Sequence, residues 1–309
     1  MLRGSDFLTL LNISPEDLWR IIELAVKLKK GLVKGAHHPL RGRTLALIFQ
    51  KSSTRTRVSL EVAIQRLGGS ALYLNWSDLQ LGRGEPISDT AKVLNRYVDG
   101  IIARVYSQRD LMEMAEHADI PVINALSDLC HPLQTLADLQ TMLEKFSRLE
   151  GLKVAYVGDG NNVCNSLMLG CVKMGVNVSV ATPKGYEPDE EHFEASMKEA
   201  ARRGLKLEVI NDPRQAVRGA DVVYTDVIAS MGQEGERGER TKVFLPKYRV
   251  TVELMEEAAS HAIFMHPLPC HRGEEVEAEV IDGWKSAVWD QAENRLHTAQ
   301  ALLSLIYQN

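Results

Sequence analysis

Between Ser14 and Gly31 the apolar residues Leu18, Ile21, Ile22, Ala25 and Leu28 recur at helical spacing. That spacing lays a single stripe along a helix. Its ends are punctuated too: Ser14 can cap, Pro15 fits the first turn, Asp17 sits three residues after the cap, and Gly31 follows the last periodic position. Beyond it, apolar runs of strand length alternate with amphipathic segments. Thr44 to Gln50 is followed by Arg55 to Leu67, Ala71 to Leu74 by Ile87 to Tyr97, and Gly100 to Arg104 by a helix near Leu111. The alternation predicts β-α-β units and a parallel sheet.

A long helical stretch from Leu133 to Lys145 ends at Glu150-Gly151, after which the rhythm restarts. Lys153 to Val157, Val176 to Ala181, Lys206 to Ile210, Val222 to Thr225 and Ala262 to His266 read as strands, with a helix over Glu190 to Arg203. The expected fold is therefore α/β, with two similar domains, each a parallel sheet flanked by helices. Ligands of such open sheets bind beyond the carboxyl ends of the strands, so the residues that follow each strand are the ones to inspect.

Composition narrows the chemistry. Of 309 residues, 45% are apolar and 25% charged, as in a globular protein. Lys and Arg number 36 against 41 Asp and Glu, a formal charge of −5, so no nucleic-acid or membrane partner is expected and any anion must be held by a local cluster. No apolar stretch approaches the roughly 18 residues of a membrane span. The segment Met1 to Asp6 lacks the features of a signal peptide, which makes the cytoplasm the expected location. Cys130, Cys164, Cys171 and Cys270 show no C-x-x-C spacing and read as reduced thiols, with no metal site expected.

The strand ending near Gln50 runs into Lys51-Ser52-Ser53-Thr54-Arg55-Thr56-Arg57, which opens directly into a helix. Hydroxyls, guanidinium groups and the free N–H groups of a helix start converge there, as a phosphate dianion requires. The bland alternative is a capped helix with solvated arginines. Neither a Walker A loop nor a complete Rossmann fingerprint is present, because Gly158-Asp159-Gly160 continues as Asn161-Asn162-Val163. A nucleotide cofactor is disfavoured.

Ser53-Thr54-Arg55-Thr56-Arg57 resembles the carbamoyl-phosphate motif of the aspartate/ornithine carbamoyltransferase superfamily, and further family motifs follow in order. These are Arg104 at a strand end, His131-Pro132-Leu133-Gln134, Gly158-Asp159-Gly160-Asn161-Asn162, Asp226 through Gly232, His266-Pro267-Leu268-Pro269, and Arg295 near the start of the last helix. The resemblance implies a carbamoyl-phosphate-binding domain over 1–147, with a terminal helix of about 292–309 packed back on it, an ornithine-binding domain over 148–291, and an active site in the cleft between them. It implies that Ser53, Thr54, Arg55 and Thr56 hold the phosphate, and that Arg104, His131, Gln134 and Arg295 hold the carbamoyl end, with Arg104, His131 and Arg295 catalytic. That division suits the chemistry, since the phosphate needs positive charge and the carbonyl oxygen needs donors where negative charge develops.

For the acceptor, the resemblance implies Asn162 for an α-carboxylate and Asp226, Ser230 and Met231 for the amino-acid amine, with His266, Pro267, Leu268 and Pro269 forming the acceptor-site loop. An acid at position 226 favours a cationic acceptor such as ornithine. The family's aspartate branch would need cations there, while acetylornithine and putrescine are further alternatives, as is a non-catalytic relative. One feature departs from the ornithine pattern, His-Cys-Leu-Pro: here Pro267 replaces the cysteine, and Cys270 lies three residues on. Gln80, in the loop Leu79 to Glu85, resembles the glutamine that reaches a neighbouring subunit's site, which implies a homotrimer or an assembly of trimers. The implied reaction takes carbamoyl phosphate and L-ornithine to L-citrulline and phosphate within arginine metabolism. It uses no metal and no cofactor.

Overall fold

A computed structural model describes residues 2–33, 37–229, 234–245 and 247–308. The chain divides into two compact units, Met1–Ala137 with Asn294–Asn309, and Asp138–Glu293.

The first unit opens with α1 (Pro15–Lys29), whose cap is the expected one: Ser14 Oγ accepts from the Asp17 N–H at 3.0 Å. Leu18, Ile21, Ile22 and Ala25 are its buried stripe. There follow β1 (Thr44–Phe49), α2 (Thr54–Arg66), β2 (Ser70–Asn75), α3 (Ile87–Leu94), β3 (Gly100–Arg104), α4 (Gln108–His117), β4 (Val122–Leu126) and α5 (Pro132–Phe146). The strands form a parallel sheet in the order β2-β1-β3-β4. One face packs Ile48, Ile101, Ala103 and Val122 against Leu111 and Met114 of α4. At roughly 1.5–3 kcal/mol per buried aliphatic side chain, such contacts hold the strand ends in place.

The second unit continues with β5 (Lys153–Val157), α6 (Asn162–Lys173), β6 (Asn177–Ala181), α7 (Glu190–Arg203), β7 (Leu207–Ile210), α8 (Pro213–Val217) and β8 (Val222–Tyr224). After it come α9 (Arg237–Phe244), α10 (Val252–Glu256), β9 (Ile263–Met265), α11 (Ala278–Ile281) and α12 (Val288–Ile306). Its parallel sheet has the order β7-β6-β5-β8-β9. α12 begins at Val288, four residues ahead of the expected 292. The division between the units falls inside α5 and inside α12.

Each sheet reverses its winding direction once. β1 is flanked by β2 and by β3, and β5 by β6 and by β8, so the β1/β3 and β5/β8 junctions are switch points, where two connections diverge and leave a crevice beyond the carboxyl ends. Among the described residues no helix is long and apolar enough to cross a membrane.

Candidate active site

In the first unit, β1 and β3 stay in register up to Phe49 and Arg104, and the Gln50 N–H donates to the Arg104 carbonyl at 2.8 Å. The chain then turns into α2, which Ser53 caps. Its Oγ accepts from the Thr56 N–H at 3.4 Å and donates to Thr56 Oγ1 at 3.2 Å. No acidic residue stands in the first turn of α2, so the positive end of the helix dipole is left uncompensated. Thr54 and Arg55 are exposed there, while Thr56 is buried.

Arg295 of α12 donates from Nη1 to Gln134 Oε1 at 2.7 Å and from Nη2 to Thr56 Oγ1 at 3.5 Å. His131, immediately before α5, is 5% exposed. Burial, then Arg295 and Arg104, push its imidazole well below the ordinary 6.5, so it is neutral at neutral pH and able to donate one hydrogen bond without carrying charge. Burial and the Arg55 guanidinium push Arg104 down to about 10, which leaves it a cation. Its Nε is buried without a partner, and neither Arg55 nor Arg104 meets a carboxylate among the described residues. The unit thus brings Ser53, Thr56, Gln134 and Arg295 into contact and sets Arg55, Arg104 and His131 in one electrostatic group. Gln80 stands apart, exposed in a 3-10 turn over Gln80–Arg83, where its Oε1 accepts from Arg83 at 3.5 Å.

In the second unit, Tyr156 of β5 pairs with Tyr224 of β8, and Tyr224 with Met265 of β9, so three strand ends are aligned. The residues that follow them are the expected ones. Asn161 caps α6, its Oδ1 accepting from Val163 N at 3.0 Å and Cys164 N at 3.1 Å, while its Nδ2 donates to Asp226 Oδ2 at 2.8 Å. Asn162 is buried in the first turn of α6. Asp226 is 8% exposed; burial pushes its carboxyl above the ordinary range, opposed by His266, the Val227 N–H and Asn161. Burial also pushes Asp159 up to about 6, even though Arg240 Nη1 lies 2.8 Å away. Ser230 and Met231 lie outside the described residues.

His266 is fully buried. Its Nδ1 accepts from the Leu268 N–H at 2.9 Å, which assigns the proton to Nε2, turned toward Glu275 Oε1 at 3.4 Å. Its own N–H donates to Gln291 Oε1 at 2.9 Å, and Gln291 Nε2 donates to Asp138 Oδ1 at 2.7 Å and to the Tyr224 hydroxyl at 3.1 Å. Pro267 and Leu268 are half-buried and Pro269 exposed. Cys270, like Leu268, packs against the apolar core of the unit, its thiol pushed up by burial; Arg272 Nη1 donates to its sulfur at 3.6 Å. That is the setting of a packed thiol, not of an activated one.

His271, Glu274 and Glu275 are the one trio among the described residues whose ligand atoms gather within 4.8 Å. Glu274 already accepts twice from Arg237 Nη2, at 2.8 and 3.0 Å, and Glu275 Oε1 accepts from the His271 N–H at 2.6 Å.

The sequence reading missed Asn161 as the partner of Asp226, the Asp159–Arg240 pair, and the chain from Asp138 through Gln291 to His266. Asn161 had a signal, as the N-cap of α6 beside a strand end. Arg240 had none, since it lies in the polar run Arg237 to Lys242, which reads as a solvated face.

Two family descriptions cover the chain: "Aspartate/ornithine carbamoyltransferase, carbamoyl-P binding domain" matches residues 5–144, and "Aspartate/ornithine carbamoyltransferase, Asp/Orn binding domain" matches 150–306. The chain is 55% identical over 306 residues to the "Ornithine carbamoyltransferase" of Pyrococcus horikoshii, covering 99% of this chain and 96% of that one. It is 54% identical over 306 residues to the "Ornithine carbamoyltransferase, anabolic" of Pyrococcus furiosus, covering 99% and 97%. The solved structure of the Pyrococcus furiosus ornithine carbamoyltransferase superposes with a TM-score of 0.93 at 54% identity, over 99% of this chain and 97% of that one.

Proposed function

The chain belongs to the aspartate/ornithine carbamoyltransferase family, and from that premise we propose that it transfers the carbamoyl group of carbamoyl phosphate to the δ-amine of L-ornithine, giving L-citrulline and phosphate. The observation that carries this reading is the charge each unit presents at its switch point. Arg55 and Arg104 are cations with no internal carboxylate among the described residues, while Asp226 is a buried acid held by an amide.

In this reading Ser53, Thr54, Arg55 and Thr56 bind the phosphate, together with the N–H groups at the start of α2. Arg104, His131, Gln134 and Arg295 hold the carbamoyl oxygen and stabilise the charge that develops on it. Asn162 takes the α-carboxylate of ornithine. Asp226, with Ser230 and Met231, takes the α-amino group, and His266 through Pro269 line the acceptor. The neutral δ-amine attacks the carbonyl carbon, so that a C–N bond forms. The tetrahedral intermediate then passes the amine proton to a phosphate oxygen and breaks its C–O bond, so that hydrogen phosphate departs with the electron pair. The acyl donor is already activated, and orientation of the amine supplies much of the rate.

We further place the protein in arginine biosynthesis in the cytoplasm, as a homotrimer or assembly of trimers in which Gln80 completes a neighbour's site. A substrate panel tests the acceptor: citrulline formation should exceed carbamoylation of aspartate, acetylornithine and putrescine in kcat/KM, and equal or faster reaction with aspartate overturns the assignment. Subunit mixing tests the shared site. Arg104→Ala chains mixed with chains whose Gln80 loop is disabled should regain activity in hybrid rings, whereas a fully active monomer overturns it.

A further inference from the structure

Arg240 is a buried cation that the proposed chemistry leaves unused. It is 6% exposed, in a helix whose only other buried residue is Phe244. Burying a guanidinium is costly unless its donors are met, and here Nη1 and Nε find acceptors at positions 159, 228 and 236. Nη1 donates to Asp159 Oδ2 at 2.8 Å and to the Ile228 carbonyl at 3.2 Å, and Nε donates to Glu236 Oε2 at 3.2 Å. The guanidinium also lies over the Tyr186 ring, 5.0 Å from its centroid. Arg237, in the same helix, spends its charge on Glu274 at the surface.

Followed outward, the contacts of Arg240 close a ring around Asp226. Ile228 is two residues beyond Asp226, and Asp159 is two residues before Asn161, whose amide holds the Asp226 carboxylate at 2.8 Å. Between them Gly160 is pressed on the backbone of the 186–188 stretch: its N–H donates to the Tyr186 carbonyl at 2.9 Å, and a Cβ there would lie 2.3 Å from Pro188 N. One side of the ring is thus pinned on backbone, and Arg240 is the fastener on the other.

We propose that Arg240 is a positioning residue for the acceptor: by tying the Ile228 carbonyl to Asp159 it fixes where Asp226 stands, and so sets affinity for the acceptor amino acid without touching it. This rests on the reading of Asp226 as the acceptor's anion. The alternative is an ion pair that only holds the fold.

Kinetics on full-length variants separate the two. Arg240→Gln should raise the ornithine KM about tenfold or more, as loss of charge-assisted contacts does, with the carbamoyl phosphate KM moving less than about twofold and kcat changing little. The double variant Arg240→Gln/Asp159→Asn removes the stranded carboxylate, so its melting temperature should recover toward wild type while the ornithine KM stays high. Arg240→Lys, which keeps a charge for Asp159 but lacks the guanidinium's second and third bonds, should fold and fall between wild type and Arg240→Gln. If the ornithine KM returns together with the melting temperature in the double variant, or if both substrates' KM values rise alike, Arg240 is structural and the proposal is overturned. An unchanged ornithine KM in Arg240→Gln overturns it as well. Failure of the wild type to form citrulline is a different result, which removes the acceptor reading itself and this proposal with it.

Discussion

The loop after β1 and the loop after β5 stand at matching points of two switch-point sheets, yet they treat charge in opposite ways. In the first unit the cations answer one another with repulsion. Burial and Arg55 bring Arg104 down to about 10, and His131 is forced neutral by burial, Arg295 and Arg104. In the second unit the two acids that follow β5 and β8 each have a partner inside the protein, Arg240 for Asp159 and Asn161 for Asp226. In the proposed reading the dianion meets positive charge held at the expense of stability, whereas the zwitterionic amino acid meets one acid kept in place by a neutral amide. On that proposal the first arrangement would stabilise the transition state and the second would orient the acceptor.

Replacing Arg104 tests the contrast most severely. Arg104→Gln should lower kcat by about 10²–10³-fold or more, as loss of a preorganised donor does, while relief of repulsion leaves the ligand-free melting temperature unchanged or higher. A steady-state assay with a thermal melt checks both, and a large loss of stability would show that the charge belongs to the fold. In the second unit Asp226→Asn should raise the ornithine KM by a contact's worth of about 1.5–3 kcal/mol and leave the carbamoyl phosphate KM alone. Equal changes in the two KM values would erase the distinction between the units.

Asn161→Ala should cost about 1 kcal/mol through the lost cap, read as a lower denaturation midpoint, and should add a rise in ornithine KM because Asp226 loses its amide. The smallest effect concerns pH. His131 stays neutral in the fold but takes up a proton near the ordinary 6.5 once unfolded, so below that value the unfolded state binds more protons and stability falls. His131→Gln removes this contribution. Its loss of unfolding free energy between about pH 7.5 and about pH 5.5 should be smaller than that of wild type by about 1.4 kcal/mol, measurable by urea titration at the two pH values. An identical loss in both proteins would mean that His131 titrates normally.

Much of this was legible in the chain because it is local. The cap and stripe of α1, the run from β1 into α2 and the end of β3 at Arg104 each follow from residues a few positions apart. β4 was not legible: Val122 to Leu126 is a short run after Pro121, and the buried Asn124 breaks its apolar character. The first-unit site residues could be placed because they sit at strand ends and helix starts, which sequence can locate. Arg240 could not, because the three groups that make its burial tolerable come from positions 159, 228 and 236, and no window of sequence holds them together.

Asn161 has a consequence for how such a chain can change over generations. Its oxygen serves the helix and its nitrogen serves the acid, so a single side chain answers to two selections. Aspartate would keep the cap and set a second negative charge against Asp226. Serine or threonine would also cap, with a shorter side chain that carries no amide to extend to the carboxylate. Mutational drift toward a new acceptor can therefore begin at Asp226 itself or, through serine or threonine, at position 161, where the helix keeps a cap while the acid gives up its amide.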